Sequence, residues 1–188
     1  NDEEEADSVI SSIKKLNLSL NQVAIMYRVN SQSRSFEVAC NRENINYKLI
    51  GSVKFYERKE IKDILSFLRI ISNPADNISL ERIINLPARG ISSKTFSILS
   101  NLAENQEISI LEFILSICEE KNFDLLGKNN ISQRAINSIN NFSEIIKNLV
   151  ISSKKEKISD LIETILDLTG YGEFIEEDLE KGEERIEN

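Results

Sequence analysis

The apolar positions of this chain follow two different rhythms. From Ala6 to Leu16, the residues Val9, Ile10, Ile13 and Leu16 share one face at helical spacing and predict a first helix. Gln22-Val23-Ala24-Ile25-Met26-Tyr27 is instead a short apolar run with β character, and Tyr47-Lys48-Leu49-Ile50 is a second one that ends at Gly51. Between them Ser31-Gln32-Ser33-Arg34 opens a helix that runs to about Glu43, with Ser31 as its N-cap. Strand, helix, strand is the start of a parallel α/β unit, but too short for a sheet, so these segments are expected to need strands from elsewhere.

After Gly51 the pattern is helical throughout. Lys59 to Asn73 carries Ile61, Ile64, Leu65, Leu68 and Ile71 on one stripe and is stopped by Asn73-Pro74, with Ala75-Asp76 completing a turn. A short helix over Ser79 to Leu86 leads into Pro87-Ala88-Arg89-Gly90-Ile91-Ser92, and a new helix begins at Ser93. Ser109-Ile110-Leu111-Glu112 is a capping box opening another helix. Further helices are expected over 132–151, 157–168 and 173–181. The expected fold class is mainly α: a small partial α/β segment over residues 1–52, then an all-helical domain over 53–188.

Composition narrows the chemistry. The 188 residues contain no His, which excludes a Ser-His-Asp triad, a His base and a His metal site. Two separated cysteines, Cys40 and Cys118, sit in apolar helical patterns and read as small buried hydrophobes in a reducing compartment. None of the six glycines falls in GxxxxGK[ST] or GxGxxG, so no phosphate loop is present and no cofactor is expected in this piece. No apolar run reaches the roughly 20 residues of a membrane span. The acidic start, Asn1-Asp2-Glu3-Glu4-Glu5, is unlike a signal peptide, which places the expected chain in the cytoplasm. With no starting Met, the sequence reads as an internal fragment.

The net charge of −8 argues against a nucleic-acid partner, but its distribution does not. Residues 27–94 hold 12 basic and 7 acidic side chains, whereas residues 95–188 hold 9 and 19. A basic middle between acidic flanks suggests one face for a polyanion and another for solvent or a protein.

Helix, Pro87-Ala88-Arg89-Gly90-Ile91-Ser92, helix is a helix-hairpin-helix-like pattern. A glycine lets the backbone approach a phosphate, and unpaired N–H groups at the start of the next helix, near Ser92 to Thr95, favour an anion. Arg89 and Lys94 add charge on either side, and such a site grips backbone without reading sequence. The competing reading is a plain helix–helix turn with Gly90 as C-cap. Lys59-Glu60-Ile61-Lys62-Asp63 alternates in sign and reads as a solvated helix face with internal ion pairs. Phe55-Tyr56 suits base stacking or, more simply, burial at the domain junction, and the acidic run at 173–187 reads as solvated surface.

Taken together, these stretches resemble one family. Tyr27-Arg28-Val29-Asn30-Ser31-Gln32-Ser33-Arg34 is similar to the YRxNxQSR motif of UvrD/PcrA/Rep-type superfamily 1 DNA helicases. Asn46 to Gly51 and Phe55-Tyr56-Glu57-Arg58-Lys59-Glu60-Ile61-Lys62-Asp63, continued by Ser66-Phe67-Leu68-Arg69 through Asn73-Pro74, resembles a second block of that family. Arg82-Ile83-Ile84-Asn85-Leu86-Pro87-Ala88-Arg89-Gly90-Ile91 resembles a third, so that the likeness covers about residues 1–100.

The resemblance implies that residues 1–52 are part of a second RecA-like motor domain and that 53–188 are the helical subdomain inserted into it, termed 2B, cut short at its C-terminal end. It implies a parent that is an ATP-dependent 3′-to-5′ DNA helicase of repair or replication, using ATP and Mg through motifs outside this chain. Arg28 and Asn30 match positions that touch single-stranded DNA, with Gln32 and Arg34 at the polar end of the same motif. Arg89, Gly90, Ile91 and Ser92, with Lys94 and Thr95 beyond them, match the part that grips duplex or junction DNA. Two positions depart from the pattern: Ser92 replaces the second glycine of GIG, and Gly51-Ser52 replaces GG.

Two readings of the fragment's own work therefore stand: a DNA-gripping element, or an autoinhibitory module that meets a repair or replication protein, which suits the acidic charge of residues 95–188. A glycosylase-like enzyme is disfavoured, because no catalytic Asp or Lys follows the hairpin in the required way.

Overall fold

The structure, a computed structural model, describes residues 2–16, 18–50, 54–177 and 185. It is mainly α, as expected, and divides into two compact units, Asn1–Lys62 with Glu180–Asn188, and Asp63–Leu179.

In the first unit α1 (Asp2–Lys15) packs on α2 (Ser33–Arg42). Ala6 and Ile10, one turn apart on α1, meet Ala39 and Cys40 of α2, and Ile13, Ile25, Phe36, Ile45 and Tyr47 close around them. The acidic first turn and basic last turn of α1 complement its dipole. At the rim Arg42 pairs with Asp7 and Lys14 with Glu43.

The strand–helix–strand expectation is corrected here. Among the described residues no strand forms: 23–27 and 45–49 carry no ladder. A strand exists only when a neighbour takes its N–H and C=O groups, and neither segment finds one among the described residues. Their apolar side chains marked burial, with Ile25, Ile45 and Tyr47 on the α1–α2 core, rather than pairing. Ser31 is not the N-cap either. A 3-10 turn over Asn30–Gln32 precedes α2, and the side chain of Gln32 turns back to accept from the backbone N–H of Arg28. Gly51 and Ser52 lie outside the described residues.

The second unit is built from most of α3 (Lys59–Ser72) and from α4 (Asn77–Ile83), α5 (Ser93–Glu104), α6 (Ile110–Glu120), α7 (Phe123–Lys128), α8 (Gln133–Ser152), α9 (Ile158–Thr169) and α10 (Tyr171–Glu176). Its core gathers Phe67, Leu80, Phe113, Ile139, Phe142 and Ile165, with the long α8 against α6, α7 and α9. Serines start these helices as caps: Ser92 accepts from the Thr95 N–H, Ser132 from the Ala135 N–H, and Ser109 forms the expected capping box with Glu112. Asp76, at the end of the Asn73–Asp76 turn, caps α4 through the Ser79 N–H. α7, six residues long, is too short to show a periodicity. α10 begins at Tyr171 directly after Gly170, which ends α9 in the left-handed conformation; residues 178–181 of the expected helix lie outside the described residues.

α3 corrects a second expectation. Its fully buried residues are Glu60, Asp63, Ser66, Phe67 and Ile70, while Ile64, Leu68 and Ile71 of the expected stripe pack half-buried against the core. Glu60 and Asp63 are therefore no part of a solvated face. Asp63, 1 % exposed, accepts from Arg82 Nε at 2.6 Å and from the Tyr171 hydroxyl, while Glu60 lies 3.8 Å from Arg185. The two carboxylates thus have partners far away in sequence. Both cysteines are buried and free, and burial pushes both thiols up. No described helix is long and apolar enough to cross a membrane.

Candidate nucleic-acid interface

Around α2 the basic motif is organised by a buried carboxylate that the sequence did not single out. Glu37, buried, accepts from the Ser33 hydroxyl (3.1 Å), the Tyr47 hydroxyl (3.1 Å) and the Phe55 N–H (3.3 Å). Arg58, also buried, donates to Ser33 Oγ at 3.0 Å and to the Asn30 carbonyl at 3.1 Å. These bonds fix the turn that presents the motif. Arg28 is exposed, Asn30 and Gln32 are half-buried, and Arg34 is exposed with its guanidinium 4.6 Å from the Phe55 ring centroid. Gln32 is thus committed to shaping the turn. Phe55 is buried within the first unit, whereas Tyr56 is exposed. A shallow cleft of about 180 Å³ runs past Arg34, Tyr47, Lys54, Phe55 and Tyr56. The signal for the framework was present in Ser33 and Glu37, one helical turn apart, but a lone carboxylate on a helix does not announce that it is buried.

In the second unit the segment between α4 and α5 is consumed by its own bonds to a degree that sequence could not show. Asn85 Oδ1 accepts from three successive backbone N–H groups: Arg89 at 2.8 Å, Gly90 at 3.0 Å and Ile91 at 3.1 Å. The Arg89 guanidinium donates to the carbonyls of Leu86 (2.6 Å), Pro87 (3.2 Å) and Ile83 (3.4 Å), and through its other terminal nitrogen to Thr169 at the end of α9 (3.0 Å). It also lies 5.7 Å from the Phe142 ring centroid, and this burial pulls its pKa down to about 10. Ser138 of α8 donates to the Arg89 carbonyl at 2.6 Å. Gly90 has φ +87°, a conformation natural only to glycine, and a Cβ there would meet nothing closer than 3.6 Å. Within the chain, the turn's backbone conformation rather than a crowded neighbour calls for glycine here.

What faces outward is the start of α5. Ser92, Ser93 and Lys94 are exposed, Thr95 and Ile91 are buried, and the Ser92 hydroxyl lies 3.0 Å from that of Thr95. The Thr95 N–H goes to Ser92 Oγ and the Phe96 N–H to the Ser92 carbonyl. As first residues of the helix, Ser93 and Lys94 have no intrahelical acceptor for their N–H groups. The structure thus gathers Ser92, Lys94 and the first α5 amides on one exposed turn, and turns Arg89 inward. Among the described residues no group of three or more His, Cys, Asp or Glu is placed to hold a metal.

Residues 1–129 match the family described as UvrD-like helicase C-terminal domain. The chain is 36% identical over 170 residues to a protein of Bacillus subtilis (strain 168) named ATP-dependent DNA helicase PcrA, covering 90% of this chain and 22% of that protein. Proteins of the same name from Staphylococcus aureus (strain NCTC 8325 / PS 47) and Staphylococcus epidermidis (strain ATCC 12228 / FDA PCI 1200) are 36% and 34% identical over 192 and 189 residues, each covering 98% of this chain and 25% of the relative. The chain spans about a quarter of the length of the curated relatives it matches.

Proposed function

Because this chain belongs to the UvrD-like helicase C-terminal domain family, we propose that it is the DNA-handling part of an ATP-dependent 3′-to-5′ DNA helicase of repair or replication. Residues 1–52 are read as part of the second RecA-like motor domain and 53–188 as the inserted helical subdomain. ATP and Mg act in the parent, through motifs that this sequence does not contain.

In this reading Arg28 and Asn30 meet the backbone of single-stranded DNA, with Arg34 beside them and Gln32 holding their turn. The exposed first turn of α5, with Lys94 and the hydroxyl of Ser92, meets the phosphates of duplex or junction DNA. Thr95 closes that turn, Gly90 and Ile91 shape the loop before it, and Arg89 acts beneath it as an anchor. The observation that carries the reading is the exposed α5 start: two amides without helical partners beside Lys94, in the basic stretch of the chain. Cations on phosphates release counterions, so binding weakens steeply with salt.

The test is fluorescence anisotropy of the chain on a labelled duplex with a single-stranded tail, at low and moderate salt. Salt-sensitive binding that Lys94→Ala weakens supports the reading, and no binding at low salt rejects it for the isolated chain. The second reading, an autoinhibitory or partner-binding module, draws on the charge of residues 95–188, with 9 basic and 19 acidic side chains. Charge reversals there that spare DNA binding but abolish a protein contact would favour it.

A further inference from the structure

Asn85 is exposed, and its single side-chain oxygen accepts three main-chain hydrogen bonds from the loop that follows it. Three successive N–H groups converging on a point form a concave donor set of the kind that holds anions. Here that concavity is filled from within. On the opposite side of the loop, the carbonyls of Ile83, Leu86 and Pro87 are taken by Arg89, and the carbonyl of Arg89 by Ser138. Following the polar groups along the backbone, the loop's N–H groups from 89 to 91 and those of Thr95 and Phe96 all have acceptors inside the protein.

We propose that Asn85 is the positioning residue of this hairpin: by saturating the Arg89, Gly90 and Ile91 amides it fixes the loop's shape and leaves the Ser92, Ser93 and Lys94 amides as the ones offered to phosphate. The inference rests on the DNA-gripping reading above and deepens it, since it moves the anion-binding amides from the glycine to the first turn of α5. An amide oxygen suits the task. It accepts from several donors while adding no negative charge beside a phosphate, which an Asp at the same place would add. With Asn85 removed, three N–H groups lose their acceptor, and the loop before Ser92 is free to leave the conformation with φ +87° at Gly90.

The experiment compares the chain with Asn85→Ala, Asn85→Asp and Lys94→Ala in two measurements. The first is amide hydrogen exchange at residues 89 to 91, by NMR. The second is anisotropy on a labelled duplex with a single-stranded tail, across a salt series. Asn85→Ala is expected to speed exchange at all three amides by about tenfold or more and to weaken duplex binding by about tenfold, the equivalent of one hydrogen bond. Its salt slope is expected to stay that of the unaltered chain, whereas Lys94→Ala lowers the slope by about one. Asn85→Asp restores the exchange protection, because a carboxylate oxygen also accepts the three bonds.

Unchanged exchange in Asn85→Ala overturns the proposal. So does accelerated exchange with unaltered duplex affinity, which would make Asn85 a prop of the loop and nothing more. If the unaltered chain binds no duplex, the DNA-gripping reading itself fails. If it binds and Lys94→Ala weakens it but Asn85→Ala does not, that reading stands and the role of Asn85 falls.

Discussion

Tyr171 donates its hydroxyl to the carboxylate of Asp63 at 2.5 Å, joining the start of α10 to α3 across 108 residues of chain. Both side chains are at 1 % exposure, and the other oxygen of Asp63 takes Arg82. A carboxylate this deep is tolerable only while its partners stay in place. Tyr171→Phe is expected to lower stability by about 1–2 kcal/mol, as one charge-assisted bond is lost. Asp63→Ala, which leaves the donors of both partners behind, should cost about 3 kcal/mol or more. Urea unfolding checks this, and a Tyr171→Phe variant as stable as the parent would show the bond to be incidental.

Arg89 separates two kinds of basic residue at the hairpin. Its guanidinium serves carbonyls of Ile83, Leu86, Pro87 and Thr169, so Arg89→Ala should destabilise the second unit by about 2–3 kcal/mol. Lys94, exposed, should be replaceable by Ala with less than about 0.5 kcal/mol lost. Thermal unfolding reads the difference. An Arg89→Ala chain that melts like the parent but no longer binds duplex would return Arg89 to the role of phosphate ligand.

On the first unit, Arg28 is exposed and Arg34 is held against Phe55. Arg28→Ala should weaken binding to a single-stranded oligonucleotide and lower its salt slope by about 0.7, without altering affinity for a blunt duplex. Equal losses on both would show that Arg28 contributes only to the general field.

Two glycines give opposite expectations. Gly90 has φ +87°, so Gly90→Ala should cost about 1 kcal/mol or more through backbone strain. Gly127 lies in α7 with open space where a Cβ would stand, and Gly127→Ala should stabilise by about 0.5–1 kcal/mol. Paired denaturation curves decide both signs.

Two helix-starting carboxylates set an acid response. The Ser79 N–H holds Asp76 below the usual carboxylate range, and the Ser109 hydroxyl and N–H do the same for Glu112. Folded-state values below the unfolded ones mean stability that is complete above the ordinary carboxylate range and lost as pH falls through the folded values. Circular dichroism during acid titration should show a shallower loss for Asp76→Asn with Glu112→Gln than for the parent chain.

Much of this was legible in the residues. Ser109 and Glu112 announced their capping box, Asn73-Pro74 its turn, and the helical periods of α1, α3, α8 and α9 their elements. The family blocks were legible as well, because they are strings of side chains. Long-range pairing was not: Glu60 and Asp63 look solvent-bound beside Lys59 and Lys62, and only Arg82, Tyr171 and Arg185 reveal otherwise. The short apolar runs at 22–27 and 47–50 failed for a related reason. A strand's evidence lies in its neighbour, whereas a helix satisfies its backbone locally. The hairpin showed its glycine and its cations in sequence, but not that Arg89 points inward or that Asn85 takes three amides, since both depend on the return path of a closed loop.

The buried state of Cys40 and Cys118 has a practical side. Their thiols are covered and shifted away from the thiolate, so neither competes for an electrophile near neutral pH while the chain is folded. A single surface replacement, such as Glu104→Cys at the exposed last residue of α5, would then accept a maleimide dye selectively with both native cysteines left in place. Distances to a labelled DNA end become measurable by fluorescence transfer in an otherwise native sequence.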